Sequence, residues 1–354
     1  MSKLSKIRNE IKDKVDAILV FDEINQYYFT EFKFSDGAVL ITQDKAYLIT
    51  DFRYYEEAQN AVSCEWSVVM PANRMEFIRG VVSDEKCKTV GVEADSLSYS
   101  RYTDIKNKLG DVILGNVSPV ISLVRRTKNE AELEKIYQAQ LITDSAFKHI
   151  LNVLTFDMTE IDVSLELEFF MRKNGAHALA FDTIAVSGDA SALPHGTPRN
   201  VKLKSGFLTM DFGASFCGYC SDMTRTVSIG KATPEMKKIY ETTLEAQALA
   251  LQRISAGENC RDIDSVARDH IENAGYKGAF GHSLGHGVGM FIHENPRLSQ
   301  SAVADTLKVG DVVTVEPGIY LPGHLGCRIE DMVFVGENGC QNITKSPKEL
   351  IEIY

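Results

Sequence analysis

Short apolar runs alternate with amphipathic stretches along the first third of the chain. Asp16–Phe21, Gly37–Thr42, Ala46–Thr50 and Thr89–Glu93 have the length and β-branched content of buried strands. Stretches near 1–14, 52–61 and 98–109 carry their apolar residues at helical spacing and would cover those strands. The pattern predicts an α/β domain over residues 1–122. Val124-Arg-Arg-Thr-Lys128 reads as a polar connector to a second domain over residues 128–354.

In the second domain the helices announce themselves by their caps. Asn129 followed by Glu132 is a capping-box arrangement, with Leu133, Ile136, Tyr137, Phe147, Ile150 and Leu151 as the buried stripe. Thr159 caps a second helix from about Glu160, closed at Gly175. Thr233-Pro234-Glu235 starts a third that ends before Gly257, and a fourth covers about 262–274. Between them lie strand-like runs, Phe207–Phe212, Thr224–Ile229, Asp311–Glu316 and Cys327–Val335. Helices interleaved with hairpins predict an α+β domain with a curved antiparallel sheet wrapped by helices. The two hairpins hint at an approximate internal two-fold.

Those hairpins carry acids where acids are poor strand formers. A turn centred between Phe216 and Cys217 would set Asp211 directly opposite Asp222, and one centred on Gly323 would set Glu316 opposite Glu330. Directly opposed residues have Cβ atoms about 4.5–5.5 Å apart. Carboxylates that close repel and raise one another's pKa unless cations intervene. Two metal ions about 3.5–4 Å apart would remove that problem and could activate a shared water. With His286 in Gly285-His-Gly-Val-Gly289, the set is Asp211, Asp222, His286, Glu316 and Glu330. Oxygen donors with one imidazole and no thiolate suit two divalent ions of the harder kind, manganese first, with cobalt or zinc as alternatives.

Composition narrows the class further. The 354 residues are 44% hydrophobic and carry a formal charge of −11, which argues against binding nucleic acid through a basic face. No apolar run approaches the ~20 residues of a membrane helix. Residues 1–16 mix both charges without an apolar segment, so no secretory leader is expected and a cytoplasmic address follows by default. Seven cysteines show no disulfide framework. Cys217 and Cys220 form a Cys-Gly-Tyr-Cys pair inside the first hairpin and read as ordinary turn and strand positions.

The motifs around these acids resemble those of the prolidase and Xaa-Pro aminopeptidase family of metallopeptidases, which have the pita-bread fold. They are Asp211–Thr226 with both aspartates, Gly285–Gly289, Val315-Glu-Pro-Gly318 and Arg328-Ile-Glu-Asp331. Asn25–Phe32 and Leu48–Tyr54 are similar to the creatinase-like N-terminal domain of the same family. The resemblance implies that Asp211, Asp222, His286, Glu316 and Glu330 hold two ions, with Asp222 and Glu330 shared. It makes Glu316 a proton shuttle, His195 a substrate contact, and His293 a stabiliser of the tetrahedral intermediate, with His282 beside the substrate. It implies proline-containing peptides as substrates and a homodimer. The expected activity is release of the first residue from Xaa-Pro peptides. The rivals are a prolidase restricted to dipeptides, an aminopeptidase without proline preference, and a non-catalytic binding protein.

Some residues carry two readings. Arg297 is placed to pair with a substrate carboxylate, which would favour dipeptides, or to form a structural salt bridge. Arg328 is expected to hold one of the acids. Phe181 lines an apolar pocket or belongs to the core, and His324 is a candidate for the site mouth. Gly285, Gly287 and Gly289 would let backbone approach metal or substrate closely. His149 and His270 are expected to be packing or surface residues.

Overall fold

The structure is a computed structural model that describes residues 2–354. The described residues form two compact units, 2–125 and 126–354. The first is an α/β layer. Its six strands are β1 (Ala17–Val20), β2 (Ala38–Thr42), β3 (Ala46–Ile49), β4 (Ser67–Val69), β5 (Thr89–Val92) and β6 (Ile113–Asn116). They lie in the order β4-β3-β2-β1-β5-β6, antiparallel only on either side of β2. The helices are α1 (Lys3–Ile11), α2 (Glu23–Thr30), α3 (Tyr55–Ala61), α4 (Arg74–Asp84), α5 (Tyr99–Leu109) and α6 (Ser118–Arg126).

Three helices (α2, α4 and α6) and two strands (β4 and β6) of this unit are not apparent in the apolar pattern. α2 starts at the Asp22 cap, whose carboxylate accepts the Asn25 N–H, and buries Asn25 and Gln26 together with Tyr28 and Phe29. A polar pair on the buried side hides the helical stripe. Val124–Lys128, read as a polar connector, spans the division between the two units, but its first residues are helical rather than irregular. Val120, Ile121 and Val124 share a buried helical face, so α6 runs through Arg126. Lys128, the last residue of that polar stretch, is buried against Glu294 at 3.3 Å.

The second unit repeats one plan twice. α7 (Glu130–Val153) and α8 (Glu160–Lys173) precede a sheet in the order β20-β12-β9-β8, after β7 (Ala178–Leu179). Here β8 is Ile184–Ser187, β9 Gly206–Phe212, β12 Met223–Ile229 and β20 Glu352–Ile353. β9 and β12 are linked by a short hairpin, β10 (Ala214–Phe216) and β11 (Tyr219–Cys220). α9 (Pro234–Arg253) and α10 (Cys260–Ile271) precede the second sheet, β14-β13-β15-β18-β19. These are β13 Gly285–Gly287, β14 Glu294–Leu298, β15 Val312–Val315, β18 Asp331–Gly336 and β19 Gly339–Asn342, with the hairpin β16 (Gly318–Leu321) and β17 (Leu325–Arg328) between β15 and β18. The Asn129 capping box and the Thr159 cap form as the sequence predicts, and Asp162 closes the Thr159 cap into a second capping box.

Period-two alternation gives each sheet a core face and a polar face. Leu208, Met210 and Phe212 of β9 pack with Phe147, Ile150, Val163 and Leu167 of α7 and α8. Asp211 and Thr209 therefore point the other way. Val313 and Val315 of β15 pack with Ile239, Ala246, Ile263 and Ala267 of α9 and α10. Thr314 and Glu316 take the opposite face.

Candidate metal centre

The two acid-bearing hairpins differ in how their register is set. Around Gly323 the ladder pairs Gly318 with Arg328 and Leu321 with Leu325, and Val315 with Asp331 beyond it. That register puts Glu316 across from Glu330, as expected, although both sit in a break between two ladders. The first hairpin is shifted. Phe216 pairs with Tyr219, and Asp211 faces Thr224 rather than Asp222. The cause is a two-residue turn in which Cys217 and Gly218 both take positive φ, 47° and 79°, the geometry of a type I′ turn. Asp222 thus lies diagonal to Asp211 and keeps the same face, because a shift of two residues preserves the alternation.

A cavity of about 570 Å³ gathers all nine candidate residues: Asp211, Asp222, His286, Glu316, Glu330, His195, His282, His293 and Arg297. Asp222, His286 and Glu330 are buried, and each offers a ligand atom within 4.8 Å of the others. The His286 Nδ1–H donates to the Gly287 carbonyl at 3.1 Å, which turns the Nε2 lone pair towards Glu316 Oε1 (3.3 Å) and Asp222 Oδ2 (3.6 Å). Burial and the neighbouring His293 lower this imidazole to about 3, so it is neutral. Thr224 Oγ1 donates to Glu330 Oε2 at 2.7 Å, and Thr314 Oγ1 to Glu316 Oε1 at 3.1 Å.

The donor set calls for positive charge. Burial, then Glu330 and Asp211, push Asp222 well above the usual carboxylate range. Glu330 is driven the same way by burial, Glu316 and Asp211, and burial raises Glu316 to about 8. Asp211 Oδ2 accepts from Arg328 Nη2 at 2.6 Å, while its Oδ1 is buried without a partner. A neutral imidazole with its lone pair presented, an orphaned carboxylate oxygen and three more converging acids fit divalent cations.

Around this set, Arg328 reaches three more groups. Its Nε donates to Thr224 Oγ1 at 3.0 Å, and its Nη1 to the Pro194 carbonyl at 3.1 Å and the Tyr320 hydroxyl at 2.9 Å. It thereby ties the His195 loop to Asp211. His282 donates from Nδ1 to the Ser283 carbonyl at 2.9 Å. Burial lowers it to about 4, so its Nε2 accepts from Tyr320 at 2.9 Å. That bond commits the ring to Tyr320, although the residue also lines the cavity. His195 and His293 are exposed, and the His293 ring stands edge-on to His286 at 4.4 Å. Arg297 faces His286 across the β13–β14 ladder.

Two sequence readings change and a third is decided between its alternatives. The glycines at 285 and 287 admit neighbouring strands, not a ligand: a Cβ there would lie 2.0 Å from the Thr314 carbonyl and 2.3 Å from that of Asn295. His324 pairs with Glu235 at 3.0 Å on the exposed hairpin tip and does not line the cavity. Phe181 lines the cavity wall with Ile184 and Ile292. Tyr320 was not singled out by the motifs; its place two residues from Gly318 on a strand facing Arg328 is the signal that points to it.

The metallopeptidase family M24 model matches residues 134–337, and the creatinase/prolidase N-terminal domain matches residues 3–127. The chain is 36% identical over 353 residues to a Xaa-Pro dipeptidase of Pyrococcus furiosus, covering 99% of each. Among solved structures it is similar to a Xaa-Pro dipeptidase from Bacillus anthracis, with 41% identity, 99% of both chains covered and a TM-score of 0.95. It also resembles an X-Pro aminopeptidase from Thermotoga maritima at 38% identity and a TM-score of 0.91, covering 98% and 100% of the two chains. The chain belongs to metallopeptidase family M24, a pita-bread enzyme whose catalytic domain follows a creatinase/prolidase N-terminal domain.

Proposed function

We propose that this metallopeptidase hydrolyses the Xaa-Pro bond at the N-terminus of short peptides. The observation that carries the reading is the convergence of Asp211, Asp222, His286, Glu316 and Glu330 on one cavity, with three carboxylates raised by burial. These five would hold two divalent ions, manganese first by the hardness of the oxygen donors. When bound, such ions acidify a water and polarise a carbonyl.

The chain's own groups supply the rest. Glu316 takes the proton of the attacking water and delivers it to the proline nitrogen as the C–N bond breaks. The products are the free first residue and a peptide beginning with proline. His195 and His293 hydrogen-bond the oxygen that gains charge. Phe181, Ile184 and Ile292 give an apolar wall for the side chains. A homodimer is part of the same reading and rests on the family likeness; a cytoplasmic address is its default companion, from residues 1–16 that mix both charges without an apolar segment.

One observation favours a narrower reading, a dipeptidase. Arg297 lines the cavity opposite His286, and among the described residues its guanidinium makes no hydrogen bond or ion pair to the chain. A dipeptide would place its C-terminal carboxylate within reach of that fork. Release of the first residue from Xaa-Pro and Xaa-Pro-Yaa by manganese-loaded protein separates the readings, with Glu316→Gln as control. Cleavage of both supports the aminopeptidase. Cleavage of the dipeptide alone supports the dipeptidase, and cleavage of neither, with two ions bound, refutes the proline reading.

A further inference from the structure

Arg225 is fully buried, yet it touches neither the cavity nor any candidate ligand side chain. Its guanidinium spends all five N–H donors. Nη1 donates to the carbonyls of Thr224 (2.9 Å) and Glu330 (2.5 Å). Nη2 donates to Asp331 Oδ1 (2.8 Å) and the Ser346 carbonyl (2.9 Å), and Nε to the Pro347 carbonyl (2.9 Å). Four of the five bonds therefore go to backbone, on three separate stretches of chain.

Those stretches matter to the site. Thr224 holds Glu330 Oε2 through its hydroxyl and accepts the Glu330 N–H at its carbonyl (3.1 Å). Arg225 secures the following peptide by donating to the Glu330 carbonyl, so both peptide groups that flank Glu330 are held. Glu330 lies in the gap between β17 and β18, where no ladder fixes it. Asp331 then passes the constraint outward: its Oδ2 accepts from Lys348 Nζ (2.6 Å) and Asn342 Nδ2 (2.7 Å). The segment after residue 344 is itself anchored, by Asp144 to the Ser346 N–H and hydroxyl, and by Tyr240 to the Lys348 carbonyl.

We infer that Arg225, backed by Asp331 and the C-terminal segment Ser346–Lys348, is a positioning residue that fixes Glu330 for cation binding. The inference rests on the metal-centre reading above. A lysine cannot replace the fork, because one ammonium cannot span carbonyls on three separate stretches of chain. Groups that orient metal ligands typically cost about 10–100-fold in metal affinity when removed.

The test is titration of the metal-free full chain with cobalt(II), followed by its visible absorption and by bound-metal stoichiometry. Arg225→Lys is compared with Arg126→Lys, a buried arginine bonded to Asp311, Asp305 and the Thr306 carbonyl, none of which lines the cavity. We expect two ions on the unaltered chain, about 10–100-fold weaker uptake with an altered spectrum in Arg225→Lys, and unaltered uptake in Arg126→Lys. Wild-type affinity and spectrum in a folded Arg225→Lys would overturn the inference. So would equal weakening in both variants. If Arg225→Lys does not fold, Lys348→Met decides: weakened uptake supports the clamp, and unchanged uptake sinks it. No uptake by the unaltered chain would instead defeat the metal-centre reading itself.

Discussion

At the residue scale, the site works by leaving selected atoms unsatisfied. His286 spends Nδ1 on a carbonyl and keeps Nε2 free; Asp211 gives one oxygen to Arg328 and leaves the other bare. Such atoms are expensive in a folded protein unless a ligand completes them. Replacing Glu316 by Gln should lower kcat by about 10²–10⁴-fold, the range for losing a proton-transfer group. Steady-state kinetics on an Xaa-Pro dipeptide checks this. Arg297→Ala should cost the dipeptide about 1.5–3 kcal/mol in kcat/KM, the worth of a hydrogen bond to a charged group. A tripeptide, whose carboxylate lies further out, should lose less; equal losses would remove Arg297 from the account.

At the element scale, strand packing sets the tolerances. β13 is squeezed between β14 and β15, so Gly287→Ala forces a Cβ against the Asn295 carbonyl at 2.3 Å. Overpacking of this kind costs about 1–3 kcal/mol, and a fall in thermal midpoint would show it. The start of α8 offers a pH-dependent case. Glu160 is wholly buried and accepts from the Ser187 N–H and hydroxyl (2.8 and 2.9 Å) and from Arg199 Nε and Nη2 (2.8 and 2.7 Å). Burial alone would raise its pKa, but these donors outweigh it and hold the carboxyl below its ordinary value of 4.5. A depressed folded pKa gives stability that is fully present above the unfolded value and is lost as pH falls through the folded one. Glu160→Gln should therefore destabilise by about 1–3 kcal/mol at neutral pH, and by less in acid below about pH 4. Denaturant midpoints at the two pH values test the sign. The register of the hairpins belongs to this scale too. Gly323 at a loop centre made the Glu316–Glu330 pairing legible in the sequence. Cys217 did not announce its positive φ, because cysteine has no special preference for that region, so the Asp211 pairing was misplaced by two residues.

At the scale of the whole molecule, the ligand motifs were legible because metal chemistry restricts residue types and the alternation of strands fixes their face. Less legible were the groups that hold the ligands. Tyr320 acts through its hydroxyl on His282 and Arg328, and Arg225 through the carbonyls of Glu330, Ser346 and Pro347, and no local pattern records such partners. α2 was hidden for a related reason, since its buried face carries Asn25 and Gln26. If the cavity binds cations only when folded, metal should stabilise the chain by mass action, by about 2.7 kcal/mol at a hundredfold excess over Kd. Removal by a chelator should lower the thermal midpoint, and Asp222→Asn should blunt that response.

The most direct measurement compares manganese-loaded protein on an Xaa-Pro and an Xaa-Ala dipeptide, with Glu316→Gln beside it. The account predicts rapid release of the first residue from Xaa-Pro, little from Xaa-Ala, and release slowed by about 10²–10⁴-fold with the variant. Equal cleavage of both peptides, or of neither while two ions are bound, would contradict it.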